Sequence, residues 1–207
     1  MNKILLLCLI LIIILVGCEN RNNDSLDTSE LKKIEQPHLT KEQRKIIPIR
    51  YGSSSLKEGL SALPFKIKIP KKFPFKVEPI ESLVIDDIDH NGGKLNVQYD
   101  LSHFDKSKLF VVVVSIHNYN PELNYVLDTA KSDEIVILKG GVRGSYTGHS
   151  SLGVSNRLNE TKESEDLIEN TLIFEKAGMY YELTYVANFA TSEKIKQYVI
   201  NIANQML

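Results

Sequence analysis

The chain has 207 residues, with 25 Lys and Arg against 26 Asp and Glu and a formal net charge of −1 at pH 7. That balance leaves no basic surplus of the kind a nucleic-acid surface demands, and the length suits one domain. The only cysteines are Cys8 and Cys18, so the body of the chain has no thiol for a disulfide or a thiolate-bound metal.

Met1, Asn2 and Lys3 open the chain with one positive side chain, and an unbroken apolar run follows from Ile4 to Val16. The run falls short of the about 20 residues that a permanent spanning helix needs. Its length and flanks fit the apolar core of a secretory signal. Val16 does not suit a conventional cleavage site, which wants small residues at two positions. Leu15-Val16-Gly17-Cys18 instead resembles the lipobox of bacterial lipoproteins. That resemblance implies cleavage before Cys18, a diacylglycerol (with palmitate-type acyl chains) on its thiol, and a position at the cell membrane facing away from the cytoplasm. Two or more acyl chains hold durably where one binds reversibly. An uncleaved anchor or a plain signal peptide is the competing reading. On the lipobox reading, residues 1–17 are the signal, 18–50 are the lipidated cysteine and a flexible tether, and 51–207 form a single extracytoplasmic domain. From Glu19 to about Ile47 the residues are mostly polar and charged, which predicts the tether.

Ser53, Ser54 or Ser55 is placed to cap a short helix carrying Leu56, Leu60 and Leu63, which Pro64 ends. Phe65-Lys66-Ile67-Lys68-Ile69 alternates apolar and basic residues and predicts a half-buried strand. Phe75 to Ile85 reads as a second extended stretch, broken at Pro79. Asp89-His90-Asn91-Gly92-Gly93 predicts a turn, and Lys94 to Leu101 alternates again. Leu109 to Ile116 is apolar almost throughout, which predicts a central strand covered on both faces. Two short strands are expected around Gly140-Gly141. Gly148 to Asn170 reads as a long loop. Thr171 to Glu175 and Met179 to Ala187 form a hairpin turned at Lys176-Ala177-Gly178. A last helix from about Ser192, capped by Thr191, carries Ile195, Val199, Ile202 and Met206 on one stripe.

These elements predict an α+β fold: an antiparallel β-sheet with a short N-terminal helix and a C-terminal amphipathic helix packed on it. The run from Leu56 to Phe75, with Leu63-Pro64-Phe65 and Pro70-Lys71-Lys72-Phe73-Pro74, resembles the start of a domain of unknown function. That domain occurs in Gram-positive lipoproteins and in the extracytoplasmic parts of anti-sigma-factor-like regulators. The ending is similar too: Leu172-Ile173-Phe174, Gly178-Met179-Tyr180-Tyr181 and Ile200-Asn201-Ile202-Ala203. Phe174 stands where many relatives carry tryptophan. The resemblance implies location and fold, and it brings no catalytic residues.

Asp87-x-Asp89-x-Asn91-Gly92 matches the opening of a calcium loop, since three oxygen side chains at alternate positions can converge on a hard cation. The twelfth position is Gln98 rather than a bidentate glutamate, and a solvated turn uses the same residues. Lys66, Lys68, Lys71, Lys72 and Lys76 form the one basic cluster. They suit either contact with an anionic membrane surface or an edge strand guarded against aggregation. Gly148-His149-Ser150-Ser151-Leu152 approaches a nucleophile elbow but has Leu152 where the second glycine is required. The five histidines are scattered, and Asp86/Asp87 and Glu163/Glu165 read as solvated loop pairs. Tyr146, Tyr180, Tyr181 and Tyr185 could offer a binding face, though alternation sends half of them into the core.

No catalytic constellation, metal site or cofactor motif emerges. The expected function is a non-enzymatic, membrane-anchored protein-interaction or envelope-sensing module with a protein partner in the envelope. The alternative is a small-ligand or carrier lipoprotein with a cavity between the sheet and the C-terminal helix. A dispersed hydrolase site is the weaker third reading, which carboxylates or histidines clustered in a cleft would revive.

Overall fold

Segments of alternating apolar and polar residues account for most of the structure, as the alternation requires when one face of a sheet is buried. The computed structural model describes residues 24–73, 76–105, 108–121, 134–149, 168–187 and 192–207. In chain order these form β1 (Lys32–Lys33), the single turn α1 (Gln43–Ile46), β2 (Ile49–Gly52), α2 (Leu56–Ala62), β3 (Val84–Asp87), β4 (Leu95–Asp105) and β5 (Lys108–His117). Then come β6 (Glu134–Ile137), β7 (Arg143–His149), β8 (Ile168–Lys176), β9 (Met179–Ala187) and α3 (Ser192–Met206). The strands pair into one nine-stranded sheet in the order β1-β2-β3-β4-β5-β9-β8-β7-β6. Every pairing is antiparallel. A mostly antiparallel sheet with a helix on it is a loose α+β arrangement. Leu15, Val16, Gly17 and Cys18 lie outside the described residues, as do Pro74, Phe75, Thr191 and the stretch 150–167.

Register decides which side chains form the core. Val97, Ile116, Tyr181 and Phe174 lie in one cross-strand row, and all four are buried. Leu95, Tyr99 and Leu101 of β4 join Phe110, Val112 and Val114 of β5, with Leu183 and Tyr185 of β9 and Leu172 of β8. Over β8 and β9 lies α3, whose expected stripe of Ile195, Val199, Ile202 and Met206 is buried together with Ala203. The hairpin turns at Ala177 and Gly178, both with positive φ (53° and 76°), the backbone of a two-residue primed turn.

β5 occupies the centre of the strand order, but only one of its faces is covered along its whole length. Phe110, Val112, Val114 and Ile116 are sealed, whereas Val113 on the opposite face is 39% exposed. The valine run satisfies β propensity there as well as core packing.

Two further expectations fail. Phe65–Ile69 pairs with no strand. β5 takes one edge of β4 from Asn96 to Asp105, whereas β3 takes the other only from Leu95 to Gln98, beyond which the Ser102 carbonyl accepts the Glu78 N–H at 3.0 Å. Pro64 and Pro70 bracket the unpaired stretch and lack donors. Of the stretch Phe75–Ile85, only Val84 and Ile85 enter a strand. Within the stretch expected as a tether, Leu26, β1 and the start of β2 dock on the rest of the molecule, so the fold begins before residue 51. Leu26 is only 8% exposed. Its N–H donates to the Gly92 carbonyl at 3.0 Å, and the Asp27 N–H donates to the Ala62 carbonyl at 2.9 Å. β1 then pairs with β2, and β2 with β3. Gly92 makes this docking possible: a Cβ there would meet the Leu26 nitrogen at 2.8 Å, and its φ is 73°.

Candidate binding groove and the polar row on the opposite face

Of the three serines placed to cap α2, Ser55 does so, with Oγ accepting the Glu58 N–H at 3.2 Å. The helix leans on the sheet through its smallest residues, Gly59 and Ala62. A Cβ on Gly59 would sit 2.8 Å from Ser53 Oγ and 2.9 Å from Leu83 Cδ1, so only glycine allows this approach. Leu56 and Leu60 are half-buried, and Leu63 is buried. After Pro64 the chain crosses beside β4 as an extended strap, with Phe65, Ile67 and Ile69 packed on the core and Lys66 and Lys68 outward.

The end of α3 pins this strap. Gln205 Oε1 accepts the N–H groups of Lys71 (3.0 Å) and Lys72 (2.8 Å), and its Nε2 donates to the Lys72 carbonyl at 2.8 Å. One side-chain amide thus copies what a neighbouring strand would supply. Asn204 Oδ1 accepts the Lys139 N–H at 2.6 Å, tying in the β6–β7 connection. Lys68 and Lys176 both donate through Nζ to the Leu207 carbonyl oxygen.

Between strap, α2 and the end of α3 runs an open groove of about 1430 Å³. Its apolar lining comes from Leu56 and Leu60, from Ile67, Ile69 and Phe73, and from Leu101 of β4. Lys68, Lys71, Lys72 and Lys139 stand on it against one acid, Glu78. All five lysines singled out from the sequence, Lys66, Lys68, Lys71, Lys72 and Lys76, are exposed. They do not guard an edge strand, because the segment that carries them belongs to no sheet. The guarded edge is β1, whose two residues are Lys32 and Lys33.

Asp87, Asp89 and Asn91 meet at the β3–β4 turn and are occupied with its backbone. Asp87 Oδ1 accepts the Gly92 N–H at 3.0 Å. Asp89 Oδ1 accepts from Asn91 and Gly93 N–H, each at 3.2 Å, and Asn91 Nδ2 donates to the Asp89 carbonyl at 2.9 Å. Burial raises the Asp87 pKa, and the neighbouring Asp89 side chain adds to this, against the Gly92 N–H, which lowers it. Desolvation is the largest single influence on Asp89 and acts upward, yet the N–H groups of Lys94, Asn91 and Gly93 and the Asp87 side chain together lower its pKa.

The sequence reading also misplaced Asp86 and Asp87, which are buried in β3 rather than solvated in a loop. Asp86 begins a row that register alone assembles on the face opposite the core: Asp86, Asn96, His117 and Tyr180 are successive cross-strand partners. Arg50 of β2 closes it with a two-pronged ion pair, Nε to Oδ1 at 2.7 Å and Nη2 to Oδ2 at 3.0 Å. Asn96 Oδ1 and His117 Nδ1 are buried without a hydrogen-bond partner. Burial lowers the His117 pKa, against the opposing pull of Asp86, and the ring sits edge-on to Tyr119 with centroids 5.5 Å apart. No spacing in the sequence signals this row, because its members come from five separate strands. Tyr146, Tyr181 and Tyr185 are core residues and offer no binding face. Tyr146 OH donates to Asn170 Oδ1 at 2.9 Å and lies 3.1 Å from Tyr185 OH.

Among the described residues, no group of three or more His, Cys, Asp or Glu is arranged to hold a metal ion, and no helix is long and apolar enough to cross a membrane. Ser150, Ser151, Leu152, Glu163 and Glu165 lie outside the described residues. No family model, curated protein or solved structure matches this chain.

Proposed function

We propose that this chain is a lipoprotein held at the outer side of the cell membrane by a diacylglycerol on Cys18, and that its domain is a non-enzymatic interaction module. The observation that carries this reading is the open groove with an apolar floor and a lysine rim. An enclosed site would bury most of a small molecule's surface; an open trough with fixed charges on its edge suits a chain segment of another protein. The lipobox-like Leu15-Val16-Gly17-Cys18 supports the anchor, and the resemblance to regulator-associated extracytoplasmic domains supports a partner in the envelope. The small-ligand reading keeps one point in its favour, since the groove lies between the sheet and the end of α3, where a carrier cavity was expected.

Photo-crosslinking in cells tests both parts. A photoreactive residue at Lys72, on the groove, captures one dominant envelope protein, and the same residue at Val113, on the opposite face, does not. Equal capture at both positions, or none at Lys72 beside a working control, removes the reading. Replacing Cys18 with serine shifts the protein out of the membrane fraction; unchanged partition removes the anchor.

A further inference from the structure

The strap has the sequence pattern of a strand, extended main chain and no partner. Phe65, Ile67 and Ile69 face inward, while Lys66 and Lys68 face outward. Yet among the described residues the main-chain N–H and C=O groups of residues 65–69 have no hydrogen-bond partner. Gln205 satisfies only the next stretch, Lys71 and Lys72. Such a row of free donors and acceptors is a template for one more strand. We propose that the strap receives an extended segment of a partner protein by strand addition, and that the segment alternates acidic and apolar residues. This rests on the interaction-module reading of the same groove and specifies its partner.

The chemistry follows from the two sides of the strap. Free amides and carbonyls select an extended main chain without reading its sequence. Alternate side chains of an added strand fall on opposite faces. One set meets the apolar lining formed by Ile67, Ile69 and Leu101, and the other meets the lysines. Lys66, Lys68, Lys71 and Lys72 lie within seven successive positions and lack an acidic neighbour among them, so cross-strand pairing with acids is favourable and with bases unfavourable. The lysines therefore act as a selector: they repel neutral aggregation and basic strands while admitting an acidic one. The opposite arrangement holds at β6, an edge strand whose Ile135 and Ile137 are 52% and 64% exposed and present no charge for selection.

Hydrogen exchange followed by NMR on the full chain, in neutral detergent, tests this with a synthetic peptide of alternating glutamate and valine. The expected result is saturable binding that weakens with salt and slows exchange of alternate amides within 65–69 by about tenfold at saturation. A peptide methylated on alternate main-chain nitrogens loses both effects. Binding with unchanged exchange at 65–69 overturns strand addition and leaves the groove as an interaction site. Equal binding of a scrambled peptide of the same composition overturns the alternation, as does absence of binding while crosslinking at Lys72 still captures a protein. Vesicles of anionic lipid that bind through the same lysines and displace the peptide without slowing these amides would assign the lysines to the membrane, and would overturn the proposal.

Discussion

Asp87 and Asp89 hold one turn together in opposite protonation habits. The raised pKa of Asp87 means that the native state binds its proton more tightly than the unfolded chain does. Its contribution to stability is therefore complete below the unfolded carboxyl pKa of about 3.9 and is lost as pH rises through the raised native value. Asp87→Asn keeps an oxygen for the Gly92 N–H and gains a permanent donor for Asp89. The variant should gain stability relative to the parent as pH rises from about 4 to 7. Urea unfolding at several pH values checks this, and parallel curves for the two proteins would sink it. A second residue carries avoidable strain. Ala177 holds φ at 53° in the β8–β9 turn, where asparagine before glycine is preferred. Ala177→Asn should raise the stability by about 0.5–1 kcal/mol; a thermal midpoint at or below that of the parent would contradict it.

At the scale of elements, the clamp from α3 to the strap is the contact on which the groove depends. Gln205 makes three hydrogen bonds to Lys71 and Lys72 and a fourth to the Asn201 carbonyl at 3.2 Å. Its side chain is only partly buried, so Gln205→Ala should cost about 1–2 kcal/mol while speeding exchange of the Lys71 and Lys72 amides far more than those of β5. Uniformly faster exchange across the sheet would mean that the clamp acts through global stability instead. The two ends of this contact differ in how legible they were. Ile195, Val199, Ile202 and Met206 announce α3 by helical spacing, and the serines before Leu56, Leu60 and Leu63 announce α2, because local periodicity and capping need no knowledge of the rest of the chain. Phe65–Ile69 carries an equally clear period of two and is not in a sheet, because pairing is a property of two segments and Pro64 and Pro70 bracket this one without donors. The polar row from Asp86 to Tyr180 was illegible for the same reason: it exists only once register is set. The lysine cluster was visible in the sequence, but its role changed when its strand proved to be a strap.

The whole molecule starts earlier in the chain than its composition suggests. Residues 24–50 are polar enough to read as a tether, yet a few contacts suffice to dock them: Leu26 on Gly92, Asp27 on Ala62, His90 Nε2 on the Ile47 carbonyl at 2.9 Å, and Arg50 on Asp86. The consequence for an anchored protein is a shorter leash. With the anchor proposed above, the stretch from Cys18 to Leu26, no more than about 28 Å even when fully extended, would confine the domain close to the surface that held Cys18. Asp27 binds at Ala62, immediately before the strap begins, and this confinement therefore applies to the groove as well. Cutting the chain at residue 51, the boundary that composition suggests, would remove β1, half of β2 and the guanidinium that neutralises Asp86. Asp86 keeps only 8% of its side chain exposed, whereas Arg50 is 44% exposed. The pair itself is worth less than a fully buried one, but the carboxylate left behind is still desolvated and unpaired. A chain starting at residue 51 should be less stable than one starting at residue 24 by about 2–4 kcal/mol, from that orphaned charge together with the lost packing of Leu26. In the longer chain, Asp86→Asn and Arg50→Gln introduced together should cost less than Arg50→Gln alone, since no charge is then stranded. Urea unfolding of these proteins, with Asp86→Asn alone as the fifth, decides it. Equal stability of the two chain lengths would return residues 24–50 to the tether, and additive effects of the two substitutions would deny the ion pair a part in holding β2 to β3.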